Sequence, residues 1–174
     1  MVRIISGYHK GHLLKTNNSP TLRPTRDRVK ETLFSVLGDI QDLRVADLFA
    51  GCGNLGLEAI SRGAKSCAMV EKDIRQIRLI QENVSRLKLD DHVEIHKMDA
   101  IRFLKNNSIA DLILADPPYN YRYFDKLFQI FDNQPEGTRI VLEAGKDLQI
   151  PVNLKQKMVS QKIISETSLN FFRV

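Results

Sequence analysis

The chain has 174 residues, 43% of them hydrophobic, no tryptophan and a formal net charge of +5. That is the length of one ordinary domain with enough apolar residues to bury a core, and the composition excludes a disordered chain, a fibre or a membrane protein. The opening MVRIISGYHKGHLL is too polar for a signal peptide, and no apolar run approaches the ~18 residues of a membrane span. A cytoplasmic protein is therefore expected. The two cysteines, Cys52 and Cys67, suit a reducing compartment better than a disulfide framework. No Cys/His cluster has zinc-ligand spacing, so no metal is expected. The charge is concentrated: seven Lys and Arg but only Asp27 among the acids lie in the first 30 residues, so essentially all of the net charge sits there. A basic arm on a near-neutral body fits a polyanion partner, because Lys and Arg displace counterions from a phosphate backbone. A merely solvated arm fits the charge equally well.

Taken in chain order, Arg3–Ser6 and His12–Leu14 read as a small hairpin turning near Gly11, and Asn17-Asn18-Ser19-Pro20 as a loop. Thr25 is a candidate N-cap for a helix reaching about Leu37, with Val29, Leu33, Val36 and Leu37 on its core face and Arg26 and Lys30 sharing another. From Arg44 the pattern alternates. Strands are expected at 44–49, 67–71, 93–96, 111–115 and 139–143. Helices follow them through about Arg62, over 74–87, over 100–105 and over 124–131. Such alternation implies an α/β fold with a mostly parallel sheet covered on both faces. Segments 157–164 and 168–174 read as two more strands, an antiparallel hairpin at the sheet edge. A single domain over 1–174 is expected, with 1–38 as a basic extension packed on it.

The first strand ends in Asp47-Leu48-Phe49-Ala50-Gly51-Cys52-Gly53-Asn54-Leu55-Gly56. Glycines there let the backbone turn tightly and approach a ligand, and the helix that follows presents unpaired N–H groups. Glu71 lies 20 residues after Gly51 at the end of the second strand, placed to accept bonds from ribose hydroxyls. This much describes a pocket for an adenosine-containing cofactor, NAD or S-adenosylmethionine. Asp47 favours the second, because a carboxylate suits its cationic amino-acid end and repels a pyrophosphate. Asp99-Ala100 follows the third strand; Asp99 suits an adenine amino group and equally a helix N-cap.

Asp116-Pro117-Pro118-Tyr119 follows the fourth strand, where open parallel sheets bind ligands. Proline fixes φ, so the Asp116 carboxylate and the Pro117 carbonyl sit on a stiff turn and can accept both N–H bonds of a planar amino group. That aims the nitrogen lone pair for in-line methyl transfer, and positioning of this kind lowers a barrier by roughly 7–11 kcal/mol at the limit. Tyr119 can stack on the base, which must be unpaired or flipped out.

Arg3-Ile4-Ile5-Ser6-Gly7 with Lys10-Gly11, Leu22 through Phe34 around Arg23-Pro24-Thr25-Arg26-Asp27-Arg28-Val29, Asp47 through Gly51, Gly56-Leu57-Glu58-Ala59, Ser61-Arg62-Gly63-Ala64, Val70-Glu71-Lys72-Asp73 and Asp116-Pro117-Pro118-Tyr119 together resemble the bacterial 16S rRNA guanine-N2 methyltransferases. The resemblance spans nearly the whole chain. It implies a Rossmann-like class I methyltransferase fold with a seven-stranded sheet, and S-adenosylmethionine held near Asp47, Phe49, Ala50, Gly51, Gly53, Glu71, Lys72, Asp99 and Ala100. It further implies methyl transfer to guanine N2 at Asp116–Tyr119, on a small ribosomal subunit that is assembled or nearly so. Arg3, Lys10, Arg23, Thr25, Arg26, Arg28 and Lys30 are then expected on the RNA side of a monomer. Rival readings are an amino methyltransferase acting on adenine N6 in DNA or on a protein glutamine, an NAD-dependent oxidoreductase, and an RNA-binding module with a relic pocket.

Overall fold

The computed structural model describes residues 2–17, 24–106 and 110–174, with the side chains of 24–26 left aside. Two short strands, β1 (Val2–Arg3) and β2 (Leu13–Leu14), pair antiparallel, and α1 (Pro24–Leu37) follows. The body then runs β3 (Arg44–Leu48), α2 (Asn54–Ser61), β4 (Ser66–Glu71), α3 (Ile74–Leu87), β5 (Val93–Lys97), α4 (Ala100–Asn106), β6 (Leu112–Ala115), α5 (Phe124–Asp132), β7 (Arg139–Gly145), α6 (Val152–Gln156), β8 (Met158–Ile164) and β9 (Thr167–Arg173). Strands β3 to β9 form one seven-stranded sheet in the order β5-β4-β3-β6-β7-β9-β8. All neighbours are parallel except β7/β9 and β8/β9. This is the α/β class read from the sequence, with the antiparallel hairpin at one edge.

The middle strands are apolar along most of their length because helices cover both faces. Alternate residues serve opposite layers: Val45, Leu112 and Leu114 join a core with α1, α2 and α3 residues, whereas Ala46, Leu48, Ile113 and Ala115 join one with residues of α4, α5 and α6. Asp47 interrupts this pattern in the central strand. The sheet order reverses between β3 and β6, and the register pairs Leu48 with Ala115. The chain therefore leaves both strands at the same level, and that places the glycine turn beside the Asp-Pro-Pro-Tyr turn.

Two local readings change. The first helix begins at Pro24, so Thr25 lies inside its first turn and is not the cap; proline fits the first helical position because its missing N–H would be unpaired there anyway. The five-residue α6 has no counterpart in the sequence reading, being too short for a period to show.

Lys30 is the larger correction. Expected to face RNA, it is only 2% exposed. Its Nζ donates to the Arg3 carbonyl at 2.6 Å and to Asn54 Oδ1 at 2.7 Å, and pairs with Glu58 Oε2 at 3.1 Å. Glu58, 0% exposed, also accepts from Ile5 N, Ser6 N and Arg62 Nε. One buried carboxylate thus ties the N-terminal hairpin, α1 and α2 together, and a charge can stay there because every neighbour is a donor. Ser61 reinforces the seam: its hydroxyl donates to the Ser6 carbonyl at 2.6 Å and accepts from His9 N, and its carbonyl accepts from Tyr8 N. Gly7 (φ +82°) passes so close that a Cβ there would stand 1.7 Å from the Ser61 carbonyl oxygen.

Candidate active site

At the exit of β3, Phe49 adopts a left-handed conformation, φ +65°, and Gly51 follows at φ +58°. A non-glycine residue held there is strained, and such strain concentrates at ligand sites. Ala50 N donates to the Val70 carbonyl and Gly53 N to the Ala50 carbonyl, so the loop folds back over β4. A Cβ built on Gly51 would meet nothing within 4 Å. The crevice in front of the loop has room for a ligand to lie against the backbone.

Glu71 is fixed from both sides. Its Oε2 accepts from Gly51 N at 3.0 Å, and its Oε1 from Lys72 N at 2.7 Å and Asp73 N at 2.9 Å. The 20-residue spacing thus brings the acid onto the glycine loop, while the Lys72 side chain is exposed. Asp47 lies beneath the loop, 1% exposed, and its Oδ2 accepts from Gly56 N at 2.8 Å. Burial pushes its pKa up to about 7, with the Gly56 bond opposing and the negative charges of Asp116 and Glu71 adding to the rise. The Asp116 charge reaches Asp47, in keeping with the two turns lying side by side at the ends of β3 and β6. The negative charges of Glu71 and Asp116 there disfavour a pyrophosphate, and a cationic ligand would draw Asp47 toward its ionised form as well.

The raised Asp47 pKa has a sign that can be checked. The folded state holds a proton that the unfolded chain has already released above pH 3.8, so this group's stabilising contribution is lost as pH rises toward about 7. Relative to Asp47→Asn, the parent's thermal midpoint is expected to fall across that window and to run parallel above it, as scanning calorimetry would read. Parallel curves throughout would mean that Asp47 is ionised across the whole range.

Asp116 and Pro118 are exposed and Pro117 is buried, while Tyr119 is 81% exposed. The Pro118 carbonyl accepts from Tyr121 N at 2.8 Å and closes the turn. Asp99 is exposed, and its Oδ1 accepts from Ile101 N at 2.8 Å: the cap role is built, and the carboxylate still stands at the β5 end of the crevice. Ala100 is buried behind it. Of the residues expected to face RNA, Arg3, Lys10 and Arg28 are exposed, Arg3 with its Nε 3.3 Å from Asp27. Arg23 and the side chains of Thr25 and Arg26 lie outside the described residues.

Several contributors escaped the sequence. Asn83 is buried and its Nδ2 donates to the Cys52 and Lys15 carbonyls, bracing the glycine loop from α3; the only signal was a polar residue on an otherwise apolar helix face. Tyr8 stands 86% exposed at the hairpin tip beside Lys10.

Comparisons with known proteins place the chain in a family and agree with its fold. The family described as Conserved hypothetical protein 95 matches residues 2–173. The chain is 33% identical over 171 residues to Ribosomal RNA small subunit methyltransferase D of Buchnera aphidicola, covering 95% of this chain and 89% of the relative. It is 37% identical over 134 residues to the protein of that name from Haemophilus influenzae, covering 74% and 69%. Among solved structures, a hypothetical protein of Thermus thermophilus superposes with a TM-score of 0.80 at 29% identity over the full length of both chains. The chain belongs to the Conserved hypothetical protein 95 family, the family of the small-subunit ribosomal RNA methyltransferases D.

Proposed function

We propose that this protein transfers a methyl group from S-adenosylmethionine to the exocyclic N2 amine of a guanine in small-subunit ribosomal RNA. The observation that carries the reading is the register of β3 against β6, Leu48 opposite Ala115, which sets the Asp116–Tyr119 turn beside the glycine loop. The names of the family relatives supply the RNA.

The residues present fit the cofactor. Gly51 leaves open space for close backbone approach, Glu71 is held at the loop where ribose hydroxyls would be bound, and the acids around Asp47 suit a cation. When bound, S-adenosylmethionine supplies an electrophilic methyl group on a sulfonium. Asp116 and the Pro117 carbonyl accept the two N–H bonds of the guanine amine, and Tyr119 stacks on the base. Conjugation makes such an amine a poor nucleophile. Holding both protons favours the pyramidal nitrogen that attacks, and the methylated nitrogen is acidic enough to lose its proton without a dedicated histidine or lysine base. The whole chain acts as one methyltransferase domain, with residues 1–38 as its RNA-facing extension. It works as a cytoplasmic monomer on an assembled or nearly assembled subunit. No helix among the described residues is long and apolar enough to cross a membrane.

The direct test is tritiated methyl transfer to ribosomal RNA and to small subunits from a strain lacking the protein, followed by nucleoside analysis. N2-methylguanosine is expected; N6-methyladenosine, or label in protein alone, would overturn the substrate assignment. Thermal shift with NADH but not with S-adenosylhomocysteine would overturn the cofactor. Replacing Arg3, Lys10 and Arg28 together with glutamine is expected to weaken RNA binding and to flatten its logarithmic salt dependence by about 0.7–0.9 for each phosphate no longer neutralised. An unchanged slope in a salt titration would place the RNA on another face.

A further inference from the structure

Tyr121 follows the proposed target-binding turn and closes it through its N–H to the Pro118 carbonyl. Its ring packs edge-on against Phe49 of the glycine loop, centroids 5.0 Å apart at 77°, and against Tyr123 and Phe124 at 5.8 and 5.3 Å. It therefore joins the two turns of the site. Its hydroxyl oxygen is shielded from solvent and, among the described residues, is the one buried side-chain polar atom without a hydrogen-bond partner. Burial first, then the negative charge of Asp99, pushes the phenol up to about 12, so it remains a neutral O–H.

A phenylalanine would fill this aromatic cluster equally well and would avoid desolvating a hydroxyl for nothing. An orphaned polar atom at a ligand site implies a partner that arrives with the ligand. The acid whose charge reaches Tyr121 is Asp99, at the β5 end of the same crevice. An ionised carboxylate only accepts hydrogen bonds, whereas a phenol can donate one. An adenine edge offers both complements, an amino donor and a ring-nitrogen acceptor.

We propose that Tyr121 is a specificity residue for the adenosine end of the cofactor, its hydroxyl gaining its hydrogen-bond partner when a 6-aminopurine enters the crevice between Phe49 and Asp99. This rests on the reading of the crevice as the S-adenosylmethionine pocket. On the edge that carries the amino group and the neighbouring ring N1, hypoxanthine presents a carbonyl and an N–H, and the acceptor-only Asp99 then opposes the carbonyl.

Calorimetric titration with S-adenosylhomocysteine and with its inosine analogue, on the parent and on Tyr121→Phe, tests this alongside thermal unfolding without ligand. The expected result is a ligand-free midpoint equal to or above the parent's, with S-adenosylhomocysteine binding weakened about fivefold, the worth of one net hydrogen bond. The inosine analogue should bind more weakly than S-adenosylhomocysteine to the parent, since its carbonyl meets the Asp99 carboxylate. A packing role alone would move the midpoint and not the affinity. Unchanged S-adenosylhomocysteine affinity in Tyr121→Phe overturns the inference and leaves the cofactor reading standing. Failure of the parent to bind S-adenosylhomocysteine overturns both.

Discussion

Asp116→Ala is expected to slow methyl transfer by a factor of about 10²–10³, the usual loss when one preorganised polar partner of a transition state is removed. Such a partner acts on the bond-making step more than on the ground state, so the loss should fall on kcat and little on the KM for RNA. Asp116→Asn separates charge from geometry: the amide keeps one acceptor oxygen but brings two donors of its own toward an amine, so it should recover little. Binding of S-adenosylhomocysteine should survive in both variants, because Glu71 and the glycine loop are fixed by their own bonds. Single-turnover methyl transfer with parallel calorimetry gives the split. Full activity in Asp116→Ala would move the chemistry elsewhere in the molecule.

The largest effect on stability is expected at Lys30. Removing one partner of a buried ion pair leaves the other charge uncompensated and costs about 3–5 kcal/mol. For a chain of this length that is roughly 6–20 °C in thermal midpoint. Lys30→Met should therefore show a large drop, because Glu58 would keep its charge and lose its buried cation, with only the partly exposed Arg62 left to pair it. Adding Glu58→Gln removes that charge while keeping one of the two acceptor oxygens that the Ile5 and Ser6 amides use, so the double variant should recover part of the loss. A Lys30→Met protein as stable as its parent would show that water or Arg62 compensates Glu58 fully.

The alternation of apolar strands and amphipathic helices was legible because each of those periods is set by the local backbone. Helix α3 falls at Ile74–Leu87, the range that the spacing predicts. The glycine turn, Glu71 and the Asp-Pro-Pro-Tyr turn were legible too, since sheet topology alone fixes where strand ends meet. Lys30 was not. A lysine at helical spacing from Arg26 reads as a solvated face, and only the tertiary arrival of Glu58 and the Arg3 carbonyl makes burial tolerable. Asp47 was placed at the right strand end, yet its burial under Gly56 depends on how α2 starts. Tyr121 lies past the motif in a segment without period, where nothing local shows that its ring turns inward against Phe49.

Strand β9, residues 167–173, is inserted between β7 and β8. The last strand of this sheet to leave a translating ribosome is therefore an interior one. Until it arrives, β7 presents an unsatisfied row of amides and carbonyls, open to any other extended chain nearby. A nascent or truncated polypeptide ending near residue 164 would hold both turns of the site and still lack the piece that seals its sheet. Prematurely terminated chains should therefore be lost to aggregation or proteolysis rather than accumulate as partly active enzyme.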